Sequence, residues 1–139
     1  MKRLDRFVVL VTVGWLAGGC ASVPTPEQVR WNLVEVGGKA VATEEQGDPG
    51  HILFDPGPPP RASGSTGCNR FVGSYAMSDS SLHFGSIATT RMACPGRMEQ
   101  ERAFERALDT CRHWRIAEGL LELLDAQGEI LARFQPASN

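Results

Sequence analysis

The chain has little with which to do chemistry. Its three histidines, His51, His83 and His113, stand at no ligand spacing, and neither His-x-x-x-His nor Cys-x-x-Cys occurs, so a zinc site is not expected. "SGSTG", residues 63–67, lacks the Gly-Lys-Ser/Thr of a phosphate loop, and no long helix follows it. It is not Gly-x-Ser-x-Gly either, which leaves a nucleophile elbow unsupported. Cys111 could be combined with His83 or His113, but a thiol on the apolar side of a helix is poorly activated. The acidic residues cluster on that helix, where a solvated face accounts for them. The expectation is a protein that is not an enzyme, with no metal and no cofactor.

Long apolar runs are scarce as well. "FVVLVTVGWLAGG", residues 7–19, falls short of the ~20 residues that a bilayer span needs. It follows Lys2, Arg3 and Arg6 and so reads as a secretory h-region. The run ends in "LAGGC", which resembles the lipobox of bacterial lipoproteins, with Ala17 where a bulkier aliphatic is usual. That resemblance implies a signal peptide over residues 1–19, a diacylglycerol on Cys20 and an acylated new amine. Ala21 and Ser22, rather than Asp, imply the periplasmic face of the outer membrane. An ordinary signal peptide cut nearby is the alternative. Several acyl chains would anchor firmly, since each buried CH₂ adds ~0.8 kcal/mol. Removing residues 1–19 takes away three bases and one acid, so the formal charge goes from −2 to −4. No basic block survives, and nucleic acid is not an expected partner.

What remains suits one domain. Residues 20–29 read as a lipidated tether, and residues 30–135 as the folded unit. Short β-branched and aromatic runs predict strands at 30–36, 51–55, 68–77 and 82–87. The stretch "PGPPPRASGSTG", residues 56–67, is expected to be irregular, because proline removes donors and glycine loosens the backbone. Residues 97–112 predict one amphipathic helix, with Phe104, Leu108 and Cys111 at helical spacing. Its like-charge pairs Glu101–Glu105 and Arg102–Arg106 oppose it slightly, so it must rely on tertiary packing. The tail reads strand, turn, strand, turn, strand, with turns at Glu118–Gly119 and Gln127–Gly128. The order implies an α+β fold with a mostly antiparallel sheet that curls over one helix.

Two blocks give a more specific signal. The first is Gly67, Cys68, Asn69, Arg70, Phe71 and Gly73. The second is Thr90, Arg91, Met92 and Cys94, followed by Glu99 and Phe104. In this order, with Trp31–Leu33 before them and "LLELLDAQGEILARF" after, they resemble the META domain, the HslJ-like family of heat-shock-associated envelope proteins. The resemblance spans about residues 28–135. It implies a small curved, barrel-like antiparallel sheet packed around one helix, and no enzymatic activity. Such domains also resemble, distantly, pilot lipoproteins that shelter acyl chains.

Within that resemblance Cys68 and Cys94 read as a disulfide, at corresponding element ends beside glycine or proline. It would close a loop of 27 residues, worth about 3.5 kcal/mol on the chain-entropy model. Cys111 is then a buried free thiol. Cys94–Cys111 would have to span about 25 Å along the helix; Cys68–Cys111 stays open. Asn69 is expected to hydrogen-bond its own turn, with a ligand contact as the alternative. Arg70 and Arg91 are expected to be solvated or paired with acids, or else to hold an anion. Phe71 and Met92 are expected in the core.

The functional expectation is an envelope lipoprotein that binds an acyl chain, a peptide or an envelope protein partner. One rival is a purely structural, pilot-like role, which predicts a packed interior and an exposed apolar patch. Another is a protease inhibitor acting through the 56–67 loop.

Overall fold

The computed structural model describes residues 24–41 and 47–138. Cys20, the signal segment and the first part of the expected tether lie outside the described residues. The elements are β1 (Arg30–Val36), β2 (Lys39–Ala40), β3 (His51–Asp55), β4 (Arg61–Ser65), β5 (Arg70–Ser78), β6 (Ser81–Thr89), α1 (Met98–Thr110), β7 (His113–Ala117), β8 (Leu120–Leu124) and β9 (Ile130–Pro136). Among the described residues they form one antiparallel nine-stranded sheet in the order β2-β1-β3-β4-β5-β6-β7-β8-β9, and β1 also pairs with β9. The sheet thus closes into a ring, with β2 as a short flap on β1. Among the described residues the expected α+β class and single helix are what is found.

Side-chain alternation decides the inside of the ring. Trp31 and Leu33 on β1, Ile52 and Phe54 on β3, Phe71 and Tyr75 on β5, and Leu121 and Leu123 on β8 are all buried, because residues two apart share a face of a strand. α1 packs against β1, β6 and β9 and buries Phe104, Ala107 and Leu108. Phe104 reaches Phe71 at 5.5 Å and Phe134 at 5.9 Å between ring centroids, so it ties β5 to β9 through the interior. Phe54 stacks edge-on to Tyr75 at 5.2 Å. The interior is occupied by aromatic side chains from both arcs of the ring. A two-residue hairpin stands at Glu118–Gly119 as expected, with φ of 53° and 79°, the left-handed pair that matches strand twist; the turn expected at Gln127–Gly128 lies in a longer connection over residues 125–129.

Two expectations need correction. Residues 61–65 are not irregular but form β4, paired along its length with both β3 and β5. Nothing in "RASGS" favours a strand by itself. Its neighbours demand small residues instead: Ala62 is wholly buried, and a Cβ at Gly64 would lie 2.0 Å from the His51 carbonyl oxygen. Tertiary context overrides weak β propensity here. The exposed loop available to an inhibitor shrinks to residues 56–60.

The expected tether is the second correction, because its last residues are packed on the domain. Pro26 is fully buried and its carbonyl accepts the Trp31 Nε1–H at 2.8 Å. Tyr75 donates its hydroxyl hydrogen to Glu27 Oε1 at 2.6 Å, and Gln28 N–H reaches the Phe54 carbonyl at 2.9 Å. Residues 24–29 are a strap belonging to the fold.

Candidate functional site

The two sequence blocks meet at one corner of the ring. β4 ends at Ser65, and residues 66–69 turn the chain into β5. Thr66 Oγ1 accepts the N–H of Cys68 at 3.2 Å and of Asn69 at 2.9 Å, while Thr66 N–H returns to the Asn69 carbonyl at 2.8 Å. Threonine therefore closes this turn, and the Asn69 side chain is free to reach elsewhere. That corrects the expectation that Asn69 serves its own turn.

Asn69 is 2% exposed and bridges both blocks. Its Oδ1 accepts Met92 N–H at 2.7 Å and the Thr90 hydroxyl at 2.9 Å. Its Nδ2 donates to the Met92 carbonyl at 3.1 Å and to Glu101 Oε1 on the helix. An amide is the side chain that can both donate and accept in this way. Cys68 and Cys94 are disulfide-bonded, with Cα atoms 5.8 Å apart, and pin the same two segments covalently.

The helix start completes the corner. Arg97 Nη1–H donates to the Asp48 carbonyl at 2.7 Å and the Gly67 carbonyl at 2.9 Å. Gln100 Nε2–H donates to the carbonyls of Pro49 and Thr66, both at 2.9 Å. Gly67 has φ of 93°, a conformation that favours glycine, and a Cβ there would sit 2.6 Å from Gln100 Nε2 and displace that side chain. Gly73 faces inward at a bulge between β5 and β6, where a Cβ would lie 2.4 Å from Ile87 Cδ1.

Met92 is not in the core: at 59% exposure it is the most exposed large apolar residue described. Its main chain is spent on Asn69, which leaves the side chain outside. Phe71 is buried against Phe104, as expected. Arg91 lies 3.7 Å from Glu105. Arg70 is exposed and its guanidinium has no partner among the described residues. Cys111 is buried and free; burial pushes its thiol up to about 12.

Outside the corner, cross-strand registers set two rows of outward side chains. One runs Arg30, Leu53, Ser63, Val72, Ala88, and the other Asn32, His51, Ser65, Arg70, with Thr90 beside Arg70. The middle strand, β4, contributes only small residues, so the face sinks along it into a depression of about 1200 Å³. Leu53, Val72 and Met92, exposed by 37%, 38% and 59%, border it. Arg30 Nη2–H donates to His51 Nδ1 at 3.1 Å. Burial and the Arg30 charge hold His51 below its ordinary value against the opposing pull of Asp48, so its ring is neutral at pH 7 and can accept that bond. Burial raises Asp48, but the Gly50 N–H, the Ser65 hydroxyl and His51 outweigh it and leave the carboxylate below its usual range. The face combines apolar patches with two guanidinium groups.

Thr66, Gln100 and Glu101 were not among the expected site residues. Glu101 carried a signal, since it lies three, seven and ten residues before Phe104, Leu108 and Cys111 and so falls on the apolar stripe. Gln100 carried none, because its role depends on the loop at 48–50; Thr66 closes its own turn, a local signal that went unread.

The META domain family model matches residues 25–138. Over 101 residues, 68% of this chain, the sequence is 38% identical to Heat shock protein HslJ of Escherichia coli (strain K12); the match spans 66% of that protein's length, just under two thirds. An NMR structure of a protein from Burkholderia xenovorans superposes with a TM-score of 0.64 at 24% identity, covering 100% of this chain and 99% of that one, which is a likeness of fold. A second NMR structure gives a TM-score of 0.61 at 27% identity, covering 81% of this chain and 95% of that one.

Proposed function

The chain belongs to the META domain family, and from that premise we propose that it is a non-catalytic lipoprotein of the cell envelope whose outer face over β3–β6 docks a partner protein. Cys20 carries the lipid in this reading and holds the domain at the periplasmic face of the outer membrane. The observation that carries the docking role is the grouping of Leu53, Val72 and Met92 around one depression walled by family-motif residues. Exposed apolar patches rimmed by polar groups mark interaction surfaces. Aromatic side chains fill the interior, which favours a surface partner over an acyl chain sheltered inside. The name of the HslJ relative associates it with heat shock, and a role in envelope stress follows from that likeness.

Photo-crosslinking in intact cells tests the docking face. A crosslinker at position 72 traps a defined species that Leu53→Asp abolishes, while one at position 127, in the turn after β8, does not. Equal capture from both positions removes the proposal. Globomycin tests the anchor separately: if the sizes of precursor and mature forms are unchanged, the lipid reading fails.

A further inference from the structure

The ring has one thin seam. β6 meets β7 only at Ser81 and His113, extended by Leu82 N–H to the Arg112 carbonyl at 3.0 Å and Trp114 N–H to the Ser80 carbonyl at 2.9 Å. Beyond that point β7 runs on past the Asp79–Ser80 turn. In an antiparallel pair, successive residues turn their main-chain groups alternately toward one neighbour and the other. Ile116 therefore aims its N–H and C=O the same way as Trp114, away from β8. Among the described residues neither group has a partner.

A groove of about 580 Å³ lies along this open edge, between β7, the β5–β6 turn and the strap. Met77, Trp114 and Ile116 give it an apolar lining. Trp114 is 8% exposed, and its buried indole N–H has no acceptor among the described residues, which is unusual for a buried tryptophan. Glu27 and Asp79 also line the groove. Neither takes part in an ion pair among the described residues, whereas Arg115 is engaged by Glu122 at 2.5 Å. The groove is thus apolar below and acidic at its rim.

We propose that this groove is a strand-addition site for a short extended peptide in which apolar residues lie between basic ones. The edge at Ile116 supplies one main-chain donor and one acceptor, as a strand-adding peptide requires. An apolar side chain enters among Met77, Trp114 and Ile116, and flanking Lys or Arg residues meet Glu27 and Asp79. A lipid chain would fill the lining but leave the Ile116 groups and the Asp79 carboxylate unmatched. The groove shares no residue with the β3–β6 face, so the two sites stand or fall separately.

The test is hydrogen exchange on the full chain in lipid nanodiscs, with acetyl-Lys-Val-Leu-Val-Lys-amide as probe. At ten times its dissociation constant the peptide slows exchange of the Ile116 amide about tenfold. A peptide N-methylated at its central leucine gives no protection. Asp79→Asn keeps the turn, since asparagine tolerates the left-handed φ of 49° found there, and weakens binding about threefold. Equal protection by the N-methylated peptide overturns strand addition. Protection by laurate but not by the peptide makes the groove a lipid site and overturns the proposal, as does no protection by either.

Discussion

Two glutamates are buried to nearly the same depth, Glu101 at 4% and Glu122 at 5% exposure, and they are held in opposite ways. Glu122 sits on β8 between its cross-strand neighbours Arg115 and Arg133. The arginines donate at 2.5 and 2.9 Å, and Arg133 continues to both oxygens of Glu35 on β1 at 2.8 Å. Burial alone would raise the Glu122 carboxyl, but bonds from Arg133 and Arg115 outweigh it and hold it below the usual range. Glu101 meets an amide instead, and its Oε2 has no donor among the described residues. The wall cancels charge with charge and is saturated. The motif corner is built around one asparagine and keeps bonding capacity in reserve, so it must be braced by other means.

The brace is the first place to break the comparison. Cys68→Ala with Cys94→Ala opens a loop of sequence separation 26 and should cost about 3.5 kcal/mol, read from urea unfolding. Asn69→Ala should cost about 2–3 kcal/mol, because Met92 N–H and the Thr90 hydroxyl lose their acceptor beside a buried carboxylate. If Asn69→Ala proves neutral, the disulfide and the Arg97 and Gln100 bonds hold the corner without it. Glu122→Gln should cost about 1–2 kcal/mol, less than a fully buried pair, because Arg115 and Arg133 both reach water. The Glu122 contribution is complete above its ordinary value of 4.5 and is lost as pH falls through the lower folded value. Glu101→Gln should change stability by no more than about 0.5 kcal/mol, because an amide oxygen still accepts from Asn69. A large loss there would give the two glutamates equivalent roles.

Cys111 has the smallest effect near neutral pH. Its thiol should resist iodoacetamide at pH 8 in the folded protein and react on unfolding. The neutral thiol contributes fully below its ordinary 9.0, and that contribution declines as pH rises toward about 12. Alkylation of folded protein at pH 8 would mean that the helix opens locally.

The sequence made the walls legible and the corner only partly so. Strands β1, β3, β5, β8 and β9 announce themselves through aromatic and branched residues, and α1 through Phe104 and Leu108. β4 was hidden because what selects its residues is the approach of β3 and β5, which no local pattern records. Resemblance picked out Asn69 and Met92, but reading each from its residue type misplaced both side chains. Their positions come from a network that spans 32 residues between Asn69 and Glu101. The Pro26 strap was obscured for a related reason: what buries it is Trp31, through a main-chain carbonyl that every residue possesses.

The pairing of β1 with β9 has a consequence for how the molecule is made. Trp31 lies opposite Pro136, so the first strand to emerge from a ribosome or a translocation channel waits for the last. Until residue 136 is free the sheet is an open ribbon with two bare edges, each a template for another chain. Folding dominated by such distant pairings is slow. Emergence of residue 136 is the event that lets the sheet close.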